Sequence, residues 1–279
     1  MYPAPFEYLR PSTLDEALAL LSSHGEDAKL LAGGHSLIPA MKLRLARPRF
    51  VVDIGRVSNL RYIREREGQI AVGAMTTHHD IEASDLLKER CPLLPEAAAQ
   101  IGDVQVRNRG TIGGSLVHAD PAADWPAAIL ALEAEIELAG PGGRRVVRAD
   151  AFFVDLLQTA AASNEILCEI RVPATSRAVA YEKTQQKASG FAIAGVAVVV
   201  QGAENVRIGV TGVAAAPYRA RAAEAALAAG APGAEAIARA AARVGDGIQA
   251  LGDIHASPEF RLHLAAVNAK RALTRALSL

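Results

Sequence analysis

The chain has 279 residues, of which 30 are basic and 30 acidic, so its formal net charge is zero. This length can bury a substantial core as one large domain or two modest ones, and the balanced charge provides no basic field for nucleic acid. The longest apolar run, Phe191 to Val200, is too short to span a bilayer, and two cysteines, Cys91 and Cys168, are too few for an iron–sulfur cluster. The N-terminus lacks the apolar segment of a secretory signal, so we expect a cytoplasmic protein with buried, reduced cysteines.

The N-terminal part of the chain is predicted to alternate helices with short buried strands. Thr13 and Glu16 have the spacing of a helix capping box, and Ser36 can cap a second helix. The predicted elements are a helix from Thr13 to about Gly25, a strand over 29–32, a helix over 37–45 and a strand over 50–54. The first strand ends in Gly33-Gly34, a strand-to-helix corner where helix N–H groups point at a bound anion.

The middle of the chain combines further strands with several helices. In order, we predict strands over 62–67 and 69–73 joined at Gly68, a helix opening at Thr76 or Thr77, another helix within 85–101, a helix over 126–132, a hairpin of 134–139 with 144–148, and a strand over 166–172. The hairpin has a glycine-rich turn between its strands, and Pro173 ends the last strand.

After Pro173 the composition shifts toward valine-rich and alanine-rich segments. Three β segments at 178–187, 193–201 and 205–213 precede helices at 217–229, 234–245 and 258–278. Strands followed by helices suggest a separate α+β unit. We therefore predict an α+β (mixed α/β) fold with a boundary near Pro173 and a three-stranded sheet in the C-terminal part.

Two glycine-rich loops are candidates for anion binding. Ala32-Gly33-Gly34-His35-Ser36 follows the first strand, and Thr111-Ile112-Gly113-Gly114-Ser115 follows a basic run. Successive backbone N–H groups bent into such a loop can form an anion-binding nest, so the pair could hold the two phosphates of a pyrophosphate. The alternative is that both are tight strand-to-helix turns. Neither loop matches the dinucleotide or Walker fingerprint.

Several histidines and arginines near these loops allow more than one interpretation. Adjacent residues His78 and His79 seldom ligate one metal ion from a helix, so we predict surface histidines after a threonine cap. His35 and His118 lie in or just after the loops and either contact a cofactor or only fill space beside it. The Arg107/Arg109 pair either steers an anionic cofactor, lies at a subunit interface or belongs to a solvated face.

The loops and several shorter motifs together resemble the FAD-binding medium subunit of the molybdenum hydroxylases, as in the carbon monoxide dehydrogenase and xanthine dehydrogenase families. The motifs that carry the resemblance are Phe6–Pro11, Leu31–Pro39, Arg107–Ser115, Ala119–Asp124, Glu165–Leu167 and Tyr181–Lys183. They cover essentially the whole chain in order. The resemblance implies a domain of residues 1–173 whose two α/β subdomains, about 1–55 and 56–173, grip FAD, and an α+β C-terminal domain of residues 174–279.

The resemblance also implies which residues contact FAD. Around the pyrophosphate and adjoining parts it implies Leu31, Ala32, Gly33, Gly34, His35, Ser36 and Leu37, together with Thr111, Ile112, Gly113, Gly114 and Ser115. It places Asp124 beside the cofactor, and Leu167 and Lys183 near the isoalloxazine, where a lysine favours the anionic reduced ring. Ile101 is a further contact, aromatic in some relatives. The alternatives are that Asp124 caps a helix, Lys183 is a solvated charge and Leu167 an ordinary core residue.

The function that the resemblance implies is electron transfer. In relatives, a large molybdopterin subunit oxidises a small substrate, and electrons pass through [2Fe-2S] clusters of a small subunit to FAD and then to an external acceptor. The chain would then have these two subunits as partners, in a dimer of heterotrimers, and no catalytic side chain or metal ligand of its own. Two alternatives remain: a stand-alone flavin oxidase or dehydrogenase with its own substrate pocket, and a nonenzymatic nucleotide-binding or assembly module.

Overall fold

The N-terminal region, residues 1–55, is a small parallel sheet with two helices. The computed structural model describes residues 1–175, 178–202, 205–228 and 233–277 of the chain. The elements of this region are β1 (Glu7–Leu9), α1 (Leu14–His24), β2 (Ala28–Leu31), α2 (Leu37–Lys42) and β3 (Phe50–Asp53). Strand β3 lies between β1 and β2, and both pairings are parallel. The loop that follows β2 therefore lies at the carboxyl edge of the sheet, where open parallel sheets bind ligands.

Two predicted helix caps in this region differ from the structure. Thr13 accepts the Glu16 N–H at 3.2 Å, but the Glu16 carboxylate accepts from Ser12, with 2.7 Å to the backbone nitrogen, so the reciprocal half of the capping box is absent. Ser36 makes no capping hydrogen bond with its side chain. Its backbone already has helical angles, φ −105° and ψ −52°, whereas a capping residue normally has an extended backbone.

The central region, residues 56–175, is an antiparallel sheet with helices on one face. Its elements are β4 (Ile63–Arg66), β5 (Gln69–Gly73), α3 (His78–Ala83), α4 (Asp85–Arg90), α5 (Leu93–Ala99), α6 (Val104–Arg109), α7 (Ile112–His118), α8 (Trp125–Ala131), β6 (Glu135–Gly140), β7 (Gly143–Arg148), α9 (Ala149–Phe152), β8 (Phe153–Asp155), β9 (Gln158–Thr159) and β10 (Ile166–Pro173). The strand order β4-β5-β10-β6-β7 puts β10 in the centre. The predicted helix within 85–101 is two helices, because Pro92 disfavours helical angles at Cys91, which has φ −155° and ψ 65°.

The two faces of this sheet have different partners. One face carries apolar residues such as Ile70, Ile136 and Ile170, which form the main core together with helices α5, α7 and α8. At the β6/β10 end of the other face, Ala139 and Cys168 pack with the N-terminal region. The rest of that second face is polar, which is usual for antiparallel sheets.

The C-terminal region, residues 178–277, is an antiparallel sheet covered by helices. Its elements are β11 (Val179–Gln185), β12 (Ala192–Val200), β13 (Val206–Thr211), β14 (Tyr218–Arg219), α10 (Arg221–Ala228), α11 (Ala234–Ala242) and α12 (Pro258–Ala276). The strands follow chain order, β11-β12-β13-β14. One face packs on α10, α11 and α12, while Tyr181 and Val199 on the other face join the core of the central region. Helix α8 passes so close to β13 that a side chain at Gly209 would collide with the Ala127 carbonyl oxygen.

The fold class is confirmed as mixed α/β of the α+β type, with one correction in this last sheet. Three strands were predicted, and the structure has a fourth, β14, where the helix over 217–229 was expected to begin. Pairing with β13 satisfies the backbone of Tyr218 and Arg219, so the helix starts only at Arg221. Residues 229 and 278, the predicted ends of two helices, lie outside the described residues. In the part of the chain described, no helix has both the length and the apolar character needed to cross a membrane.

Candidate functional site

The structure brings the two glycine-rich loops into direct contact. A Cβ added to Gly33 would collide with the carbonyl oxygen of Arg109 and lie 2.7 Å from the Cα of Gly110. A Cβ added to Gly114 would lie 3.4 Å from that of Ala32. Only glycine at position 33 permits this approach, so the two loops, which are far apart in the sequence, form one surface.

The first loop presents a run of unpartnered backbone donors. None of the described residues accepts the backbone N–H groups of Gly33, Gly34, His35 or Ser36. Gly34 has a φ of +81°, which bends the loop as in a nest, and the first paired amide after it is that of Ile38, bonded to the Gly34 carbonyl at 3.1 Å. His35 and Ser36 are exposed, so a ligand can reach these donors from solvent. Consecutive free donors at a glycine turn fit the oxygens of a phosphate group.

The second loop differs from the nest that the sequence predicts. Its amides are bonded within the protein: Ile112 to the Thr76 carbonyl at 3.1 Å and Gly113 to the Ala74 carbonyl at 2.9 Å. The Gly114 amide donates to the Thr111 hydroxyl at 3.2 Å, because Thr111 is the N-cap of α7. The loop is therefore the first turn of a helix tied to the end of β5. What it offers a ligand is the exposed, side-chain-free surface at Gly114 beside Ala32.

Asp124 and Lys183 form a buried ion pair. Lys183 Nζ lies 2.8 Å from Asp124 Oδ1 and donates to the Gln100 carbonyl at 2.7 Å, and the exposed fraction of its side chain is 0%. Tyr181 donates its hydroxyl proton to Asp124 Oδ1 at 2.5 Å. Burial raises the pKa of Asp124, and the attraction of Lys183 opposes this increase. Burial and the neighbouring Asp124 raise the pKa of Tyr181 well above its usual value.

This ion pair overturns two of the alternative interpretations. Asp124 does not cap α8, because its carboxylate makes no capping hydrogen bond and its bonds go to Tyr181 and Lys183. Lys183 is not a solvated strand charge. The pair joins the start of α8 in the central region to β11 in the C-terminal region, so the two regions are held together at this point.

Leu167 and Ile101 both contribute to the core cluster that contains Ile112 of the second loop. Leu167 is 4% exposed, and its side chain belongs to the same core cluster as Ile112. Its strand has a bulge at the next position, and the Cys168 carbonyl there accepts the Ala74 N–H at 2.9 Å. Ile101 is half-buried and packs against this core from outside. Leu167 thus lies in the core on the interior side of the second loop.

His78 is a residue of this site that sequence reasoning missed. The prediction of surface histidines holds for His79, which is exposed, but is wrong for His78, which is buried. The Trp125 indole N–H donates to His78 Nδ1 at 3.1 Å, and a Cβ on Gly110 would lie 2.6 Å from His78 Nε2. Burial lowers the pKa of His78 to about 4, with further decreases from His35 and Arg107. The i,i+3 spacing of His78 and Ile81, which share the buried face of α3, is the signal that indicates burial.

The predicted cap and the basic run have structural roles here. Thr77 and Asp80 form a complete capping box, with both hydrogen bonds at 3.1 Å. Arg107 Nε pairs with Glu82 at 2.8 Å, and its guanidinium also donates to the Ile101 carbonyl at 3.2 Å. Arg107 therefore holds α6 to its neighbours and is not available to steer a cofactor. His118 lies 4.0 Å from Asp120, outside both loops.

Comparison with known proteins supports, over the whole chain, the family resemblance found in the sequence motifs. Residues 4–175 match the family model described as FAD binding domain in molybdopterin dehydrogenase, and residues 179–276 match the CO dehydrogenase flavoprotein C-terminal domain. The chain is 49% identical over 220 residues to the carbon monoxide dehydrogenase medium chain of Hydrogenophaga pseudoflava, covering 77% of each protein. It is 40% identical over 282 residues to that of Afipia carboxidovorans, covering 99% of this chain and 98% of the relative.

The same relationship is seen in three dimensions. The fold matches a chain in the structure of carbon monoxide dehydrogenase from Hydrogenophaga pseudoflava that lacks the Mo-pyranopterin moiety of the molybdenum cofactor, with a TM-score of 0.96 and 45% identity. The match covers 100% of this chain and 99% of that chain. In this chain, the first glycine loop, with its free backbone donors, also fits an FAD pyrophosphate. The chain therefore belongs to the FAD-binding medium subunits of the molybdenum hydroxylases, the flavoprotein components of carbon monoxide dehydrogenase and related oxidoreductases.

Proposed function

We propose that this chain is the electron-transfer subunit of a molybdenum hydroxylase, taking electrons from the [2Fe-2S] clusters of a small subunit and passing them to an external acceptor. The observation that carries the proposal is the contact between the two glycine loops, one of which presents four consecutive unpartnered amides. When bound, the flavin supplies the electron-transfer chemistry. The protein's own task is to hold it, orient it and exclude water.

In this proposal the two loops divide the binding of FAD between them. Leu31–Leu37 donates backbone hydrogen bonds to the pyrophosphate oxygens, since its amides at 33–36 have no partner among the described residues. Thr111–Ser115 supplies the opposing wall, because its amides at 112–115 are already bonded and Gly114 has no side chain to block approach. The loops therefore act as a donor side and a contact side, and neither needs a charged side chain.

The residues proposed for the isoalloxazine end act mainly by position. Asp124 and Lys183 hold the C-terminal sheet against the Gln100 carbonyl, next to Ile101 in the chain. Leu167 lies in the core that supports the second glycine loop. Because Asp124 lies 2.8 Å from the Lys183 ammonium, the pair is close to neutral as a unit. Lys183 therefore favours an anionic reduced flavin less than an isolated lysine would.

The proposed assembly contains a small [2Fe-2S] subunit and a large molybdopterin subunit, as a dimer of heterotrimers. The two cysteines of this chain support the division of labour, since Cys91 and Cys168 are both buried and unpaired. We also propose that residues 1–173 form the FAD-binding domain, with subdomains at about 1–55 and 56–173, and that residues 174–279 form the C-terminal domain. The two separately matched family segments support this division.

The proposal is tested by reconstitution with its partners. The chain is expressed alone and with the two other subunits, and flavin absorbance is followed after adding the substrate of the complex. We expect the flavin to be reduced only when both partners are present. Reduction of the isolated chain by a simple organic substrate would instead support a stand-alone flavin dehydrogenase. A chain that takes up no FAD would contradict both functions.

A further inference from the structure

The polar face of the central sheet carries long charged side chains on the two strands that flank β5. Arg64 on β4 and Arg171 on β10 both lie directly opposite Ala71 of the intervening strand β5. Two residues further along the same pair of strands, Glu169 on β10 lies opposite Gly73. Because residues two apart share a face of a strand, the charged side chains of β4 and β10 lie on the same face as Ala71 and Gly73. The third β5 residue on this face is Gln69, opposite Arg66. The guanidinium and carboxylate groups of the two flanking strands are thus brought to one face of the sheet.

A cleft of about 520 Å³ opens on this face. Five arginines line it, namely Arg61, Arg64, Arg66, Arg144 and Arg171. The carboxylates in its lining are Glu137 and Glu169. The volume is within the range of ordinary small-molecule sites, and the cleft lies on the opposite face of the sheet from the core that supports the second glycine loop.

The two carboxylates are shared among three of the arginines. Glu169 accepts from Arg171 Nε at 2.5 Å and from Arg64 at 3.2 Å, and it also accepts the Tyr62 hydroxyl proton at 2.5 Å. Glu137 pairs with both Arg144 and Arg171. The guanidinium of Arg64 is further positioned over the Tyr62 ring, 4.1 Å from its centroid. Three positive charges are therefore held in place by two negative ones.

The remaining two arginines add to this excess of positive charge. Arg61 is paired with Asp80 through two hydrogen bonds of 2.8 and 2.9 Å. The Arg66 side chain has no ion pair or hydrogen bond with any of the described residues. The five guanidinium groups thus face three carboxylates in a chain whose formal net charge is zero. Guanidinium groups bind carboxylate and phosphate oxygens in bidentate pairs, and a cleft concentrates their field.

We propose that this cleft is a second ligand site, which binds a small polyanion carrying two or more carboxylate or phosphate groups. The preorganised guanidinium groups of Arg64 and Arg171 form one part of the site. The uncompensated Arg66, two residues from Arg64 on the same face of β4, forms another. A ligand with a single negative charge would neutralise only half of the excess, so a polyanion is favoured. The site is separate from the FAD loops and does not depend on the proposed electron-transfer function.

The test is calorimetric titration of citrate into the full chain saturated with FAD, so that the first glycine loop is occupied. We expect one binding site, weakened about tenfold by Arg66→Gln and by Arg64→Gln, the loss expected for one charge-assisted hydrogen bond on a half-exposed side chain. Arg49→Gln is the matched control, because Arg49 is an exposed arginine paired with Asp27 in the N-terminal region. That variant should bind citrate as the unchanged chain does.

Arg66→Gln keeps the test valid even if Arg64→Gln disturbs the fold, because Arg66 takes part in no described ion pair. Inorganic pyrophosphate is titrated as a second probe. Failure of both anions to bind would overturn the proposal, and so would equal weakening by Arg66→Gln and Arg49→Gln, which would place the anion elsewhere. If neither anion binds and Arg66→Gln weakens only the assembly with partner subunits, the cleft is a protein interface and the proposal is wrong. FAD occupancy is measured in the same Arg66→Gln variant. If that occupancy is unchanged, a loss of anion binding cannot be attributed to damage at the FAD site.

Discussion

The ammonium group of Lys183 lies 2.8 Å from the carboxylate of Asp124, and neither side chain is more than 5% exposed. The two residues come from different parts of the chain, one before α8 and the other on β11. Tyr181, two positions before Lys183, also bonds to Asp124 at 2.5 Å. This small polar cluster is enclosed by apolar core. The desolvation cost of each member is therefore offset by its ion pair or hydrogen bond with the others.

Replacing Lys183 with Met should destabilise the protein by about 3–5 kcal/mol, because it leaves Asp124 buried without its counter-charge. Burial already raises the pKa of Asp124, and loss of Lys183 raises it further. A carboxyl whose folded pKa exceeds the unfolded one loses stabilisation as pH rises, so the variant should be relatively more stable at pH 5 than at pH 8. Urea unfolding at the two pH values measures this difference.

The control for this experiment is Lys88→Met, which removes an exposed lysine paired with Asp85 at 3.1 Å. That change should cost less than about 1 kcal/mol at either pH. A Lys183→Met variant as stable as Lys88→Met would show that the buried pair contributes little.

Replacing Gly33 with Ala should weaken FAD binding by about tenfold or more. The new Cβ would collide with the Arg109 carbonyl and separate the two loops, at a cost of about 1–3 kcal/mol. The measurement is the amount of FAD retained per chain after gel filtration. Gly142→Ala is the control, since nothing lies within 4 Å of a Cβ at that position. Full FAD occupancy in Gly33→Ala would contradict the role of the loop contact.

Protonation of His78 should destabilise the fold in mild acid. Its pKa is lowered by burial to about 4, below the unfolded value of 6.5, so the unfolded state binds the proton more readily. Stability is therefore fully present above about pH 6.5 and falls by about 3 kcal/mol as pH approaches 4. His78→Gln retains an acceptor for the Trp125 N–H and should flatten this part of the profile. His79→Gln, at an exposed position, should not, and equal slopes in both variants would argue against buried His78 as the cause.

Neither cysteine should react readily with a thiol reagent in the native protein. Burial raises the pKa of the Cys91 thiol to about 12 and that of Cys168 to about 11, so little thiolate is present at pH 8. We expect no rapid labelling of the native chain and labelling of both thiols after unfolding in urea. Fast labelling at pH 8 without denaturant would mean that one of these sites opens to solvent.

Features with a local cause could be predicted closely from the sequence. The hairpin predicted over 134–139 and 144–148 is β6 and β7, because its glycine turn and its strands are adjacent in the chain. The helix cap falls on Thr77, one of the two threonines predicted for it, because capping depends only on residues three apart. The glycine pair at 33–34 follows strand β2 as predicted, but the prediction of a buried strand is wrong, because among its residues only Ala28 is buried.

The sequence by itself determined the local elements, the mixed fold class and, through its ordered motifs, the family. The tertiary structure alone decided which backbone donors are free. The amides of Gly113 and Gly114 donate to the Ala74 carbonyl and the Thr111 hydroxyl, whereas those of Gly33 and Gly34 have no acceptor among the described residues. It also decided the central place of β10 in its sheet and the burial of His78 against Trp125. These features depend on contacts between distant residues, and neither hydrophobic period nor turn composition carries that information.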